Sequence, residues 1–452
     1  MHLHLLGICG TFMAGLGQLA KSLGHKVTGS DLNVYPPMSD FLASVGIDIN
    51  SGWDARSLNP RPDCVIIGNA LSRGNPLVEF VLDHGIAYSS GPQWLAEHVL
   101  PGKHVLAVAG THGKTTTASL LAWILDQGGY SPGFLIGGIP ENFQVPARLG
   151  NSEYFVIEAD EYDTAFFDKR SKFIHYRPRT LVLNNLEFDH ADIFPDLAAI
   201  QTQFHHLVRI VPSNGIIVWN ADDHELATTL ARGCWSSTEE FGTADTAAWR
   251  VVSRHKRGHR RYELQFDNKC YSFDSPLVGQ HNALNLAAAV AAANAVGMSP
   301  ERALPFVRGF KNVKRRLELL GVAREVSVYD DFAHHPTAIA TTLEGLRDKV
   351  GDEPIVAILE PRSNTMRMGV HRATLAPSLV VANHVLLYAP PMLGWDLGVV
   401  ANDLGPRCSV HTDLDSLLDA ADAVAVPKSH LLIMSNGSFG GFHQQILKRL
   451  AG

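Results

Sequence analysis

The loop at residues 110–117 (GTHGKTTT) carries the strongest chemical signal in the sequence. Its two glycines leave backbone N–H groups open to an anion, Lys114 can reach the outer phosphates of a nucleotide, and the Thr115 hydroxyl can ligate Mg²⁺. The loop is shorter than the common GxxxxGK[ST] pattern because valine, not glycine, stands at position 108. We predict that nucleotide phosphates bind to Gly110, Thr111, His112, Gly113, Lys114, Thr115 and Thr116.

Acidic and imidazole side chains follow two apolar segments that predict strands. Residues 154–157 lead into EADEYD, and residues 180–183 lead into NNLEFDH. Four carboxylates within six residues repel one another unless a cation holds them. We expect Thr115, Glu158 and His190 to bind metal, and Lys114, Glu158 and His190 to act in catalysis. A solvated acidic turn and a structural Asp–His pair are the alternatives.

Amide and guanidinium side chains mark a later part of the same region. Asn282 and Asn285 lie three positions apart at the start of an alanine-rich helix, so their amides either meet an adenine edge or cap the helix. Capping is the stronger interpretation of the spacing alone. Arg315 and Arg316 either clamp a phosphate from a neighbouring domain or form surface salt bridges.

The first hundred residues have the order of a nucleotide-binding unit. The predicted elements are a strand at 3–8, a glycine turn at 10–15 and a helix at 15–23. A second strand ends at Asp31, whose carboxylate is placed for ribose or base hydroxyls. The GxGxxG pattern is broken by Cys9 and Phe12, so a second nucleotide site and a purely structural turn both remain open.

Strand and helix patterns restart twice along the chain, which indicates three α/β domains. Between residues 232 and 273 the pattern is β-rich and charged, which indicates an antiparallel edge or hairpin that includes the basic stretch RHKRGHRR at 254–261. The expected domains are 1–102, 103–315 and 316–452. In the last domain we predict strands at 326–329, 355–359, 385–388 and 431–434 and a helix at 337–347.

Composition limits the possible classes of function. The chain has 452 residues, 46% of them hydrophobic, and a formal net charge of −7, which disfavours nucleic acid as a partner. Its five cysteines are scattered and never form a C-x-x-C pair, as expected for reduced thiols. The N-terminus lacks the basic region of a signal peptide, and no apolar run reaches about 18 residues. We therefore expect a cytoplasmic enzyme without membrane insertion.

Six ordered motifs, GTHGKTTT, EADEYD, NNLEFDH, GQHNALN, KRRLE and DDFAHHP, together resemble the Mur ligase family. Its members are ATP-dependent enzymes that build the peptide of bacterial cell-wall precursors. The resemblance covers essentially the whole chain. It implies a Rossmann-like N-terminal domain that binds a UDP-sugar, a P-loop central ATPase domain, and a Rossmann-like C-terminal domain that binds a peptide. It also implies ATP and Mg²⁺ as cofactors.

The resemblance assigns roles to residues in all three domains. For ATP they are Asn282 and Asn285 on adenine, Asp331 on the ribose, and Arg315 or Arg316 on a phosphate. For the UDP-sugar they are Gly10, Thr11, Phe12, Met13, Asp31 and Ser72. His334 and His335 would position reactants or accept the amine proton, with a structural role as the alternative. Related ligases use a carbamylated lysine for a second metal, and the sequence shows no lysine obviously placed for that role.

The branch of the family acting on UDP-N-acetylmuramate contains two kinds of ligase, one for free L-alanine and one for an intact tripeptide. The segments EPRSNTMRMG and SNGSFGGFH resemble the tripeptide branch. The resemblance therefore implies ligation of UDP-N-acetylmuramate to L-Ala-γ-D-Glu-meso-diaminopimelate through an acyl phosphate, in cell-wall recycling. An alanine ligase is the nearest alternative; an ATP-hydrolysing switch and an NAD-dependent dehydrogenase are others. Peptide recognition is expected from Arg362, Ser363, Asn364 and Thr365. The oligomeric state stays open, monomer or weak dimer.

Overall fold

Three large β-sheets divide the chain into successive α/β units. The computed structural model describes residues 1–256 and 259–452, and helices alternate with strands through most of them. The sheets occupy residues 2–90, 104–272 and 318–434. The predicted α/β fold class is confirmed. We propose domain boundaries after residues 102 and 315, in the two segments between the sheets.

The N-terminal sheet is five-stranded and parallel, in the order β3-β2-β1-β4-β5. Its strands are β1 (His2–Leu6), β2 (Lys26–Asp31), β3 (Asp48–Ser51), β4 (Cys64–Ile67) and β5 (Tyr88–Ser90). Its helices are α1 (Thr11–Ser22), α2 (Met38–Ser44), α3 (Pro76–Asp83) and α4 (Gly91–His98). Both faces of β1 are buried, as is usual for the middle of a parallel sheet.

The first helix begins earlier than the sequence predicted. Helix α1 starts at Thr11, so a turn at 10–15 is wrong; the chain turns at 7–10, where Gly7 has φ of 79° and its carbonyl accepts the Gly10 N–H at 3.2 Å. Gly15 lies inside the helix because of packing. A Cβ there would come within 2.5 Å of a Leu135 methyl group from the central sheet.

The central sheet has ten strands in the order β17-β16-β15-β14-β13-β12-β6-β9-β7-β8. They are β6 (His104–Ala109), β7 (Gly133–Leu135), β8 (Ala147–Arg148), β9 (Tyr154–Ala159), β12 (Thr180–Leu183), β13 (Ile216–Asn220), β14 (Ser237–Gly242), β15 (Trp249–Lys256), β16 (His259–Phe266) and β17 (Lys269–Ser272). A separate hairpin contains β10 (Asp163–Ala165) and β11 (Asp168–Ser171), followed by a 3₁₀ helix, Lys172–His175. The helices are α5 (Lys114–Gln127), α6 (Leu197–Arg209), α7 (His224–Ala231), α8 (Gln280–Asn294) and α9 (Pro300–Val307).

Strand β6 lies between β12 and β9 and is parallel to both. The three strand ends predicted to carry the chemistry are therefore adjacent in the sheet. Strands β15, β16 and β17 are antiparallel at the sheet edge, which confirms the predicted hairpin. Arg257 and Gly258 of the basic stretch 254–261 lie outside the described residues.

The C-terminal sheet has six strands in the order β18-β19-β23-β20-β21-β22, parallel except for the edge strand β18. They are β18 (Glu318–Ala323), β19 (Val326–Asp331), β20 (Ile355–Leu359), β21 (His384–Tyr388), β22 (Cys408–His411) and β23 (His430–Met434). The helices are α10 (Pro336–Val350), α11 (Asn364–Arg367), α12 (Arg372–Ser378), α13 (Gly398–Leu404), α14 (Leu414–Val424) and α15 (Phe442–Ala451). The four predicted strands are confirmed, with longer ends for three of them.

The alanine-rich helix α8 is an internal element of the central unit. Its residues from 286 to 293 are fully buried, and it packs with α5 in one apolar core. A helix that is apolar all round needs such a buried position. In the part of the chain that the structure describes, no helix combines the length and apolar character needed to cross a membrane.

Candidate active site

The phosphate loop links β6 to α5. Gly110 has φ of 144° and Gly113 has φ of 77°, conformations that favour glycine. A Cβ on Gly113 would overlap the Asn285 amide oxygen and lie 2.9 Å from Asn184 Nδ2. Among the described residues no side chain caps α5, so its first N–H groups are free to bind an anion. The local geometry therefore fits a phosphate group.

Lys114 is buried at the start of α5 among carboxylates. Its ammonium donates to the Gly110 carbonyl at 2.6 Å and to Glu161 Oε2 at 3.2 Å, and lies 3.7 Å from Asp160. Burial alone would lower the pKa of Lys114, but Glu161 and Asp160 raise it above its usual value. Burial would raise the pKa of Glu161, but Lys114 and the hydrogen bond with His190 hold it at about 2. Both groups are therefore charged at neutral pH.

The Thr115 hydroxyl and the Glu158 carboxylate form a pair of oxygen ligands beside the phosphate loop. The Thr115 hydroxyl donates to Glu158 Oε1 at 2.8 Å, and the Gly137 N–H donates to Glu158 Oε2 at 2.7 Å. Burial and the neighbouring Asp160 raise the pKa of Glu158. A carboxylate held near a hydroxyl and another carboxylate suits a hard divalent cation.

His190 lies beside the acidic segment 158–163, but its imidazole pairs with Glu161 and not with Glu158. Its Nε2 is 3.0 Å from Glu161 Oε1, and that pairing raises the pKa of His190 against the effect of burial. Glu161 therefore connects Lys114 to His190. No role was predicted for Glu161, although the acidic run EADEYD contains it. Strand β9 ends at Ala159, and the path of the chain after it determines which carboxylate points inward.

A second cluster of histidine and glutamate joins the loop to the C-terminal sheet. His112 Nε2 lies 3.2 Å from Glu187 Oε2, and His335 Nδ1 lies 3.5 Å from the same oxygen. One ligand atom from each residue lies within 4.8 Å of the others, so the three could hold a metal ion. Burial lowers the pKa of His335 to about 3 and that of His334 to about 4. Both imidazoles are therefore neutral at neutral pH.

The two predicted phosphate-binding arginines point in different directions. Arg316 reaches the phosphate loop, where its guanidinium donates to the Thr115 hydroxyl at 3.3 Å. Arg315 instead pairs with Asp330 at 3.1 Å and donates to the carbonyls of Ser435 and Gly437. Of the two arginines, only Arg316 contacts the phosphate loop.

The asparagines of α8 form a chain of amide hydrogen bonds below the loop. Asn285 donates to Asn282 at 3.1 Å and accepts from Asn184 at 3.3 Å, while Asn282 donates to the Val278 carbonyl. The N-cap of α8 is Gly279, without a side-chain cap. Capping, the interpretation favoured by the spacing alone, is therefore wrong, because the two amides bond to each other, to Asn184 and to the Val278 carbonyl instead.

One cavity of about 830 Å³ connects these groups with the N-terminal unit. The predicted site residues on its wall are Gly10, Thr11, Phe12, Met13, Thr111, His112, Gly113, Lys114, Thr115, Thr116, Glu158, His190, Asn282, Asn285, Arg315, Arg316, Asp331, His334 and His335. Lys172, which the sequence analysis missed, also lines it. The only clue to Lys172 in the sequence is a lysine next to an apolar segment, which is a weak signal.

Other predicted residues lie beside or away from this wall. Gly110 is in the loop but is not a wall residue, and Ser72 is exposed in the turn after β4. The Asp31 carboxylate accepts the N–H groups of Cys9 and Asn33, both at 2.9 Å, so it supports the turn before α1. Asp331 does line the cavity, but its carboxylate similarly accepts two backbone N–H groups, those of residues 317 and 333.

The predicted peptide-binding residues connect the two larger units. Thr365 donates to Asp189 at 2.8 Å, and Asn364 donates to Asp192 at 2.7 Å. Ser363 caps α11, and Arg362 is exposed beside Gly437. None of the four lines the large cavity, but Asp189 does, so they adjoin it through the loop that carries His190.

Three family models match the chain in order. They are "Mur ligase family, catalytic domain" at residues 2–101, "Mur ligase middle domain" at 108–293 and "Mur ligase, glutamate ligase domain" at 315–437. The matched ranges follow the three sheets.

Individual relatives match over nearly their full length. The UDP-N-acetylmuramate–L-alanyl-γ-D-glutamyl-meso-2,6-diaminoheptandioate ligase of Escherichia coli (strain K12) is 55% identical, with 100% of this chain and 98% of the relative covered. A UDP-N-acetylmuramate–L-alanine ligase of Paenarthrobacter aurescens is 32% identical over 99% of this chain and 97% of the relative. The crystal structure of a murein peptide ligase from Psychrobacter arcticus has 45% identity and a TM-score of 0.79, covering 100% and 99% of the two chains.

Proposed function

The chain belongs to the Mur ligase family, as its motifs predicted, and we propose that it joins UDP-N-acetylmuramate to L-alanyl-γ-D-glutamyl-meso-diaminopimelate. The family's members are ATP-dependent ligases that form amide bonds. The single observation that carries the choice of acceptor is the 55% identity, end to end, to a relative named for that tripeptide. The relative named for free L-alanine shares only 32%.

ATP fits the phosphate loop and its surroundings. The uncapped start of α5 offers N–H groups, Lys114 and Arg316 offer positive charge, and the cavity is large enough for a nucleotide and a second ligand. Thr115, Glu158 and His190 would hold Mg²⁺. When bound, Mg²⁺ neutralises charge on the phosphates and fixes their orientation.

The first chemical step forms an acyl phosphate. A carboxylate oxygen of UDP-N-acetylmuramate attacks the γ-phosphorus, and the bond from that phosphorus to the bridging oxygen breaks, so ADP leaves with the electron pair. Lys114 and Arg316 stabilise the charge that develops on the γ-phosphoryl oxygens.

The second step forms the amide bond. The neutral amine of the peptide's L-alanine attacks the carbonyl carbon, the bond from that carbon to the phosphate oxygen breaks, and phosphate leaves. The nitrogen loses one proton, and we assign its acceptance to His334 or His335, whose neutral imidazoles line the cavity. Asp189, 4.0 Å from His334 Nε2, would stabilise the resulting imidazolium.

The remaining substrate contacts come from all three units. The turn at 10–13 would hold the nucleotide sugar, supported by Asp31, with Ser72 on a neighbouring loop. Arg362, Ser363, Asn364 and Thr365 would contact the peptide where the C-terminal sheet meets the His190 loop. Asn282 and Asn285 would face adenine, and Asp331 the ribose. A cytoplasmic location remains part of the proposal, as the cysteine pattern predicted.

An acceptor-swap assay tests this function. Purified enzyme receives UDP-N-acetylmuramate, ATP and Mg²⁺ with either the tripeptide or free L-alanine, and ADP release and the nucleotide product are both measured. We expect product only with the tripeptide. Turnover restricted to alanine would identify an alanine ligase. ADP release that is independent of any amine would instead indicate a hydrolytic switch.

A further inference from the structure

Lys172 lies where the N-terminal and central units meet. It begins the 3₁₀ helix Lys172–His175, directly after β11, and its N–H donates to the Tyr162 carbonyl at 2.9 Å. Only 6% of the residue is exposed, yet it lines the large cavity. The side chain is therefore directed into the space that the substrates would share.

The ammonium of Lys172 lacks the partners that a buried cation needs. It has three N–H donors. Within the described residues it makes no hydrogen bond, and its one carboxylate contact, with Asp160 Oδ2, is 3.9 Å long. The Phe12 and Tyr162 rings each lie 5.3 Å from the ammonium. Burial lowers the pKa of Lys172, and the carboxylates of Asp160 and Glu161 act in the opposite direction. Leaving a buried charged group without hydrogen bonds is costly, so the position suits an anionic ligand.

The neighbours of Lys172 indicate which anion would reach it. Phe12 belongs to the turn proposed for the nucleotide sugar. Asp160 belongs to the acidic segment that also contacts Lys114, the residue proposed for the γ-phosphate. Lys172 thus lies between the two proposed substrate sites, where the carboxylate of the sugar must lie to attack phosphorus. Lys114 already has Glu161 as a close partner, whereas Lys172 has none as close.

We propose that Lys172 binds the lactyl carboxylate of UDP-N-acetylmuramate and positions it for attack on the γ-phosphate. This inference rests on the proposed function. It adds a specificity determinant, because the same ammonium would distinguish a nucleotide sugar that carries this carboxylate from one that does not. The competing role is structural, in which Lys172 only neutralises the acidic segment.

Two nucleotide sugars, one with the lactyl carboxylate and one without it, distinguish carboxylate binding by Lys172 from a structural role. Binding of UDP-N-acetylmuramate and of UDP-N-acetylglucosamine, which lacks the lactyl group, is measured by calorimetry with Mg²⁺ and a non-hydrolysable ATP analogue present. The proteins are the wild type, Lys172→Met, Lys172→Arg and the control Lys169→Met. Lys169 is three positions earlier, 70% exposed at its side chain and paired with Asp163, so it should not affect either ligand.

We expect the wild type to prefer UDP-N-acetylmuramate and Lys172→Met to lose at least tenfold of that preference, with unchanged affinity for UDP-N-acetylglucosamine. Lys172→Arg should recover part of the preference, since it keeps the charge in a different shape. In steady-state assays, Lys172→Met should raise KM for UDP-N-acetylmuramate more than KM for ATP. Circular dichroism checks that each variant is folded.

Four results would overturn the assignment. Equal loss of both ligands would indicate a structural role or a diphosphate contact. A rise confined to KM for ATP would place the γ-phosphate, not the carboxylate, on Lys172. If Lys172→Met keeps the preference for UDP-N-acetylmuramate, Lys172 does not contact the carboxylate. If Lys172→Arg is folded but shows no more of this preference than Lys172→Met, the positive charge is not what is recognised. A wild type that shows no preference contradicts the proposed first substrate as well, and so is distinguishable from failure of Lys172 alone.

Discussion

The phosphate-loop site and the contacts between the central and C-terminal units are built in different ways. The loop site uses the ends of three adjacent strands of one sheet, and its carboxylates surround a buried lysine. The contacts to the C-terminal unit are separate polar pairs such as Thr365–Asp189 and Arg316–Thr115. A hydrogen-bonded sheet fixes positions within one unit, whereas a small set of polar contacts permits relative movement of domains. We therefore expect chemistry to fail when the first region is altered, and domain closure to weaken when the second is.

The largest expected effect is from Lys114→Ala. It removes the ammonium that would balance charge on the γ-phosphoryl group, so kcat should fall by about 10²–10³-fold or more. Product formation is measured under saturating substrates, and circular dichroism checks the fold. Lys448→Ala, on the exposed end of α15, is the matched control. Near-normal turnover by Lys114→Ala would refute the role of the loop.

The next effect concerns the metal. Glu158→Ala and His190→Ala should each raise the Mg²⁺ concentration needed for half-maximal activity by at least about tenfold. Each substitution removes a proposed metal ligand, or a side chain that orients one. Glu153→Ala, an exposed acid just before β9, should leave the titration unchanged. If either variant has the Mg²⁺ dependence of the wild type, the residue that it replaces does not belong to the metal site.

Substitution of the adjacent residues Arg315 and Arg316 tests whether the phosphate-loop site and the C-terminal contacts have separate roles. Arg316→Met should lower kcat/KM for ATP by roughly tenfold to a hundredfold, the loss expected for a charged hydrogen bond. Arg315→Met should instead lower the thermal midpoint, because Arg315 ties Asp330 to the Ser435 and Gly437 carbonyls. Kinetics and thermal unfolding of both variants test this, and identical behaviour would contradict the division of roles.

The smallest effect is expected from Thr365→Val. It removes two hydrogen bonds between the two units, the one donated to Asp189 and the one accepted from the Ala191 N–H. At about 0.5 kcal/mol each, the lower limit for such bonds, kcat/KM for the peptide should fall about fivefold. The unfolding midpoint should stay near that of Thr374→Val, whose hydroxyl bonds only the His371 carbonyl within the C-terminal unit. A loss as large as that of Lys114→Ala would show that this contact belongs to the chemistry.

Strand positions were the most predictable part of the fold. Residues 180–183 and 355–359 were predicted with the bounds that the structure has, because short apolar runs with polar residues at their ends are local signals. The turn at 10–15 was predicted wrongly, since glycine has two uses that a sequence does not separate. Gly7 is needed because its backbone has a positive φ. Gly15 is needed because a side chain there would clash with Leu135, a residue far along the chain.

Side-chain partners within the site were less predictable than its location. Glu158, Asp160 and Glu161 are too close in sequence for the pattern to say which one meets Lys114 or His190. The same holds for Arg315 and Arg316, whose directions depend on Asp330 in one sheet and Thr115 in another. The capping interpretation failed because Asn285 bonds to Asn184, which comes from the end of a different strand, and also to Asn282.

The sequence by itself determined the α/β class, the phosphate loop and the family, because these depend on local periodicity and on motifs that are contiguous in the chain. Only the tertiary structure decided which side chains share a site. It brought Glu161 between Lys114 and His190, turned Arg315 away from the loop, and buried Lys172 beside Phe12. Those contacts join segments that are distant in sequence, and their geometry depends on sheet order and domain packing, which no local pattern encodes.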